Sequence, residues 1–410
     1  MNLGQAEDYL LSLELFGMRF GLDRMHKLMT VLGMPQRRFA SIHVVGTNGK
    51  SSTTRMTAAI LERHGLRTGI YISPHLRRFP ERIEVRGEQL SDAAFADAVE
   101  RAAHAAEMVN RTLPAGDEVT QFEALTAAAF HALAVAQIEV AVIEAGLGGR
   151  YDATNVIPSK VQVLTSVGLD HTRWLGDTIA DIASEKLAVV RDHSTLVVPP
   201  DLAPEAAPVA ARVAEQKHAR IVRAPADVGV TLAARGTFQR HNFALATATA
   251  EAFLERPLDP DAVADAAATV VVPGRMEIVG EEPLVVFDGA HNGAGMAALA
   301  DALPEVVGER PLTVVVSILD DKDARAMLGA LLPAAENVVF TRTSNPRALP
   351  PGTLVHLSER PDAVTIGDPK AALEHAKQLA GSDGAVVATG SIYLIADLVR
   401  APGVARVSML

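Results

Sequence analysis

Residues 42–52 read Ile-His-Val-Val-Gly-Thr-Asn-Gly-Lys-Ser-Ser. Ile42 to Val45 form an apolar strand, Gly46 to Gly49 a glycine turn, and Lys50, Ser51 and Ser52 open a helix. Glycines at 46 and 49 let backbone N–H groups face phosphate oxygens, the following helix offers its positive end, and Lys50 adds a mobile charge. Either serine could ligate Mg²⁺. The strict eight-residue phosphate-loop pattern would place glycine at position 44, where this chain has Val44. A plain strand-to-helix turn is therefore the competing reading, and the Lys-Ser-Ser continuation speaks against it.

Two further apolar strands end on chemically able residues. The run Glu139 to Ile143 leads to Glu144, and Gly146-Leu147-Gly148-Gly149 then turns the chain toward Arg150 and Asp152. Nucleotide hydrolases place a metal-binding acid where Glu144 stands; a turn or cap residue is the alternative. Val161 to Val167 precede Gly168-Leu169-Asp170-His171, and a histidine alone there is ordinarily structural. In parallel sheets, however, ligands gather at the carboxyl ends of strands, and all three sites fall at such ends. Their convergence predicts a nucleotide site at which cations assist a reaction of an anionic substrate.

Length and composition frame this reading. At 410 residues the chain exceeds the size at which one core usually stops growing, so two domains are expected. Hydrophobic residues at 49% and charged residues at 21% describe a folded, soluble protein. A formal charge of −11 argues against a general nucleic-acid binder, which needs a basic surface to displace counterions. The most apolar stretch, Ala124 to Gly149, is broken by His131, Gln137, Glu139 and Glu144, so no membrane span is expected. Glu7, Asp8 and Glu14 near the amino terminus do not fit a secretory signal. The absence of cysteine excludes a disulfide framework and thiolate chemistry. These features predict a cytoplasmic enzyme, monomeric, with small-molecule partners and neither nucleic acid nor membrane.

Strand-like and helix-like segments alternate, the pattern of a mostly parallel sheet covered on both faces. Strands are expected at Ile42–Val45, Thr68–Ile72, Glu139–Ile143 and Val161–Val167, and helices at Arg55–Arg63, Asp92–Val109, Glu123–Ala136 and Ala203–His218. Val270-Val271-Val272-Pro273-Gly274 marks a boundary, giving domains 1–272 and 273–410. Beyond it, strands are expected at Leu284–Phe287, Thr313–Ile318, Asn337–Phe340 and Ala385–Ala388, with helices near Met296–Leu303, Asp323–Leu332 and Pro369–Leu379.

Several motifs occur in a fixed order: Gly46-Thr47-Asn48-Gly49-Lys50, Ser73-Pro74-His75-Leu76, Glu81-Arg82-Ile83, Glu144 through Asn155, Leu169-Asp170-His171, Glu185-Lys186, Pro273-Gly274-Arg275, Asp288-Gly289-Ala290-His291-Asn292, Asp321-Lys322-Asp323 and Thr389-Gly390-Ser391-Ile392-Tyr393. Together they resemble folylpolyglutamate synthase and dihydrofolate synthase, within the wider Mur ligase superfamily. The resemblance implies an α/β fold with a phosphate-loop-type, mostly parallel sheet domain followed by a smaller Rossmann-like α/β domain. It also implies an ATP-dependent amide ligase that joins L-glutamate to dihydropteroate, to a folate, or to both, through an acyl phosphate.

By position, the resemblance assigns Thr47, Asn48, Gly49, Lys50, Ser51 and Ser52 to the triphosphate, and Ser51, Ser73, Glu144 and His171 to magnesium. Asn242 is implied at the adenine, Arg275 and Asp288 at the nucleotide, and His291 on the phosphate side, with the ATP site between domains. Thr120, Gln121, Phe122, Glu123, Tyr151, Asp152 and Ala153 resemble pterin-side contacts, although Phe122 alone reads as core. Lys186 aligns with a lysine that becomes a carbamate in the family; by itself it reads as a solvated helix lysine paired with Glu185. The chain departs from the family where it has Ser51 in place of glycine, Gln121 in place of an aromatic, Phe238 in place of histidine, Pro80 in place of asparagine and Gly293 in place of proline. The Phe16 to Phe20 segment is unmatched. Two alternatives remain: a related ligase acting on a cell-wall precursor or similar acid, against which the Gly146–Arg150 run speaks, and a nucleotide-binding regulator without activity, which could dispense with Glu144, His171 and Lys186.

Overall fold

Alternation of apolar runs with amphipathic helices produces two sheets, each with its own core. The computed structural model describes residues 1–13 and 21–400. Its contacts divide it into a unit of Met1–Thr231 with His241–Val270 and a unit of Leu232–Arg240 with the residues from Val271 onward. No compositional break marks Leu232–Arg240; Phe238 groups with the second unit because it packs on that unit's core.

Strands of the first unit are β1 (Ala40–Val45), β2 (Thr68–Tyr71), β3 (Ile83–Val85), β4 (Glu88–Gln89), β5 (Val140–Glu144), β6 (Val161–Leu164), β7 (Thr195–Val198) and β8 (Arg220–Arg223), in the sheet order β4-β3-β2-β5-β1-β6-β7-β8. From β2 to β8 every pairing is parallel. Strand β1 lies centrally, with Val44 opposite Glu144 and Val45 opposite Leu164. The helices are α1 (Leu3–Ser12), α2 (Asp23–Val31), α3 (Lys50–Arg63), α4 (Asp92–Asn110), α5 (Gln121–Val135), α6 (Thr172–Leu175), α7 (Ile179–Leu187), α8 (Ala207–Gln216), α9 (Thr237–Leu254) and α10 (Pro260–Thr269); α9 runs across the division between units. One apolar cluster collects side chains of α1, α2, α4 and α5 against the sheet, and another joins Val45, Ala145, Leu164 and Leu196 to Leu187 of α7. Covering both faces explains why β5 reads as an apolar run up to Glu144 and why β1 and β6 are apolar except for the buried Ser41, His43 and Gln162.

In the second unit, β9 (Glu277–Glu281), β10 (Leu284–Phe287), β11 (Leu312–Val316), β12 (Asn337–Phe340), β13 (Val364–Thr365) and β14 (Ala385–Thr389) take the order β13-β12-β11-β14-β10-β9. All are parallel except β9 on β10. Helices α11 (Gly293–Val307), α12 (Ala324–Leu331), α13 (Pro351–Ser358), α14 (Pro369–Ala380) and α15 (Ile392–Val399) complete this α/β unit. Among the described residues, no helix is long and apolar enough to cross a membrane.

Candidate active site

The glycine turn after β1 is braced by the neighbouring strand. Strand β6 stops at Leu164 rather than Val167 because Thr165 and Ser166 turn their polar groups onto the loop. The Thr47 N–H donates to the Ser166 carbonyl at 2.9 Å, the Asn48 N–H to Ser166 Oγ at 2.9 Å, and Thr165 Oγ1 to the Asn48 carbonyl at 2.6 Å. Gly168 N–H donates to Thr47 Oγ1 at 3.0 Å. Gly49 adopts φ +83°, and the Asn242 carboxamide occupies the space that a side chain there would need. The positive φ at position 49 therefore favours glycine, and any side chain there would also displace the Asn242 carboxamide. Helix α3 begins at Lys50, immediately after this turn.

Two lysine side-chain nitrogens meet at one carbonyl of this loop. Lys50 Nζ donates to the Gly46 oxygen at 3.1 Å and to that of Thr47 at 3.2 Å. Lys186 Nζ, arriving from α7, donates to the same Gly46 oxygen at 2.9 Å. Lys186 is buried rather than solvated, and Glu185 pairs with Arg150 instead, Nε to Oε2 at 3.1 Å. Burial, and then the charge of Lys50, lower the Lys186 pKa to about 7, against the opposing pull of Asp170, Asp152 and Glu185. Near neutral pH a large share of this amine is therefore uncharged.

Glu144 closes β5 and is buried. Its Oε1 accepts from Ser51 Oγ at 3.0 Å and its Oε2 from the Ser73 N–H at 3.2 Å. Ser51 faces the carboxylate, whereas Ser52 is buried within α3. Three of the four expected magnesium positions therefore lie together, Ser51 and Glu144 through their side-chain oxygens, the donor type a small divalent cation prefers, and Ser73 through its backbone N–H. His171 caps the short α6 in a left-handed conformation, φ 50°, with its Nε2 3.8 Å from Asp170 Oδ1. Among the described residues no three His, Cys, Asp or Glu side chains are grouped to hold a metal, so an ion here would rely on Glu144, serine oxygens and the oxygens of a bound anion.

The glycine-rich run serves as a seat. A Cβ at Gly146 would lie 2.5 Å from Phe122 Cζ, and the Phe122 ring stacks on Tyr71 with centroids 6.1 Å apart. A Cβ at Gly149 would lie 2.6 Å from the Lys186 carbonyl oxygen, so this glycine lets the segment approach the backbone of α7. The Arg150 N–H then donates to the Glu185 carbonyl at 3.1 Å. Asp152 is buried and caps the turn of Ala153 to Val156, while Tyr151 is exposed. Burial raises the Asp152 pKa, and hydrogen bonds from Thr154, Leu147 and Gly146 oppose the rise.

At the start of α5, Thr120 and Glu123 cap one another, and Arg24 Nε donates to Glu123 Oε1 at 3.0 Å. Gln121 Nε2 donates to the Leu10 carbonyl at 2.7 Å, so the amide that replaces an aromatic here ties α5 to α1. The Phe16 to Phe20 segment lies outside the described residues.

A second cluster forms within the other unit, beyond the end of β10. Asp288 is buried, accepting from Ala290 N–H at 2.8 Å and Met276 N–H at 2.9 Å. Burial raises its pKa, and the nearby Arg275 charge counters that rise. The Arg275 guanidinium lies over Gly289, where a Cβ would collide with it, and His291 Nδ1 sits 2.9 Å from the Gly289 carbonyl. Arg275, Asp288 and His291 are thus held together.

Residues 44–241 match the Mur ligase middle domain, and residues 274–392 match the Mur ligase glutamate ligase domain. Over 372 residues, covering 80% of this chain and 75% of the relative, the sequence is 38% identical to the dihydrofolate synthase/folylpolyglutamate synthase of Mycobacterium tuberculosis. The chain belongs to the folylpolyglutamate synthase/dihydrofolate synthase family of Mur ligases. The structure agrees. Mycobacterium tuberculosis folylpolyglutamate synthase complexed with ADP superposes with a TM-score of 0.90 at 34% identity, covering 96% of each chain. A bifunctional folylpolyglutamate synthase/dihydrofolate synthase with Mn, AMPPNP and L-glutamate bound gives 0.85 at 29% identity, covering 97% of each.

Some parts of this ligase are not marked by its motifs. Thr165 and Ser166 hold the phosphate loop, and Asp170 contributes negative charge at Lys186. The available signal was a pair of hydroxyl residues ending an apolar run, a common feature that does not by itself indicate a loop brace.

Proposed function

We propose that this protein is an ATP-dependent ligase that joins L-glutamate to the carboxylate of dihydropteroate, of a folate, or of both, in the cytoplasm. The observation that carries this reading is the convergence of Lys50 and Lys186 on the Gly46 carbonyl, with Ser51, Ser73 and Glu144 joined in a second cluster. Thr47 to Ser52 hold the triphosphate by backbone N–H groups and the Lys50 charge. Asn242, Arg275 and Asp288 serve the nucleotide, and His291 the phosphate side.

An acceptor carboxylate oxygen attacks the γ-phosphorus, ADP leaves, and an acyl phosphate forms. The glutamate amine then attacks the acyl carbon, loses a proton, and expels phosphate. Both steps crowd anions, so fixed positive charge stabilises them more than it would in water. Mg²⁺ bound by Glu144, Ser51, Ser73 and His171 would supply further neutralisation at the phosphates. Lys186 has a second role open to it: its uncharged amine can add CO₂ and lose a proton, giving a carbamate anion. Residues 120–123 and 151–153 form the acceptor side, with the Phe122 ring and the exposed Tyr151 offered to it and the buried Asp152 supporting them, while Gln121 is engaged with α1.

The test is ADP release by the purified protein with each substrate omitted in turn. Release is expected only when glutamate and a pteroate or folate acceptor are both present. Release indifferent to the acceptor contradicts the proposal. Comparing dihydropteroate with tetrahydrofolate and its one-carbon forms then assigns one activity or two.

A further inference from the structure

A polar chain runs through the core of the first unit and ends on the glycine-rich run. His43 is fully buried in β1, between β5 and β6, and its Nε2 lies 2.8 Å from Thr154 Oγ1. Thr154, also fully buried, bonds Asp152 Oδ1 through its hydroxyl and again through its N–H at 3.0 Å. The other carboxylate oxygen, Asp152 Oδ2, accepts from the Leu147 N–H at 2.8 Å. Imidazole, hydroxyl and carboxylate thus connect the central strand to the 146–150 turn.

The direction of donation follows from the inventory of protons. An ionised carboxylate only accepts, and a threonine hydroxyl has one proton to give, so that proton goes to Asp152. Thr154 Oγ1 must then accept from His43 Nε2–H. This tautomer leaves His43 Nδ1 as a bare lone pair, and that atom has no hydrogen-bond partner. Burial and the charge of Arg191 lower the His43 pKa to about 3, so the ring stays neutral. A polar side chain inside an apolar strand is costly to bury unless its hydrogen bond does something. Here the bond fixes the rotation of the Thr154 hydroxyl.

We propose that His43 and Thr154 are positioning residues that aim the Asp152 carboxylate at the Leu147 N–H and thereby shape the acceptor side of the site. The inference rests on the reading that residues 151–153 face the acceptor, and it concerns the support behind them.

Thr154→Val removes the hydroxyl at nearly constant volume; Thr154→Ser keeps it. In the full chain, Thr154→Val is expected to raise KM for the acceptor about tenfold, the scale of one lost hydrogen bond to a charged group, with KM for ATP unchanged. Thr154→Ser restores the parent value. His43→Leu, which removes the donor behind Thr154, shifts acceptor KM in the same direction. A parental acceptor KM in Thr154→Val, or equal rises for ATP and acceptor, overturns the proposal. Amide hydrogen exchange of the unliganded protein supplies a readout independent of the reaction. Faster exchange at Leu147 in Thr154→Val than in Thr154→Ser supports the relay, and unchanged protection there overturns it. If the parent protein uses no pteroate or folate acceptor, the functional reading fails while the exchange result still decides the relay.

Discussion

The phosphate loop and helix α7 each deliver a lysine to the Gly46 carbonyl, by opposite routes. Lys50 reaches back over its own loop, four residues away, and everything it needs is written in one short stretch. Lys186 comes from 140 residues away, on the buried face of α7, and the 144–155 segment can lie against the carbonyls of that helix because position 149 is glycine. The first lysine is placed by local chain geometry and the second by packing. That difference also separates their electrostatics: Lys186 is sealed in the core beside another cation, which brings its pKa to about 7.

Removing each lysine separates the two routes. Lys50→Ala is expected to lower kcat by roughly 10²–10³, the usual effect of losing one preorganised group at a developing negative charge. Steady-state kinetics with a folded variant check it. Lys186→Ala is expected to lose most of its activity and to regain part of it with a small carboxylate in solution, as a carbamate requires; unchanged turnover removes the carbamate from the mechanism.

Stability carries a second signature of the buried lysine. Between pH of about 7 and 10.5 the unfolded chain binds a proton on Lys186 that the folded chain has released, so stability rises with pH across that window. Denaturant titrations should show this rise in the parent and a flatter profile in Lys186→Met. A rise of equal steepness in both would place its origin elsewhere.

Smaller effects probe the seat beneath α7. Gly149→Ala pushes a methyl group into backbone carbonyls and is expected to cost about 1–3 kcal/mol, with activity falling as Lys186 shifts. Arg150→Ala breaks only a half-exposed pair with Glu185 and is expected to cost about 0–1 kcal/mol. If Arg150→Ala proved the more damaging of the two, the ion pair and not the glycine would be seating the helix.

How far the sequence could be read follows the same division. The strands Leu284–Phe287, fully buried, and Asn337–Phe340, buried from Val338 onward, match expectation residue for residue, since burial on both faces leaves an apolar run in each. Strand β8, Arg220–Arg223, has no such run because it lies at the sheet edge and is mostly exposed, and it was not legible. The phosphate loop was legible as a candidate from its glycines and lysine. The partnership of Ser51 and Ser73 with Glu144 depends on strand order, and the family resemblance supplied it. Lys186 read alone points to solvent and a bond with Glu185; in the fold it shares the buried face of α7 with Ile182 and Ala183, closed over by the packed glycine run. Gln121 shows the reverse case, a position implied at the acceptor whose amide is engaged with α1.

The central claim is that ATP activates the acceptor carboxylate as an acyl phosphate. It is tested most directly with an acceptor carrying ¹⁸O in both oxygens of the reacting carboxylate, followed by mass analysis of the phosphate released during ligation. Passage through an acyl phosphate predicts one ¹⁸O atom in each phosphate formed. Unlabelled phosphate, with the label retained in the acceptor, would show that water attacks the nucleotide and would contradict the account.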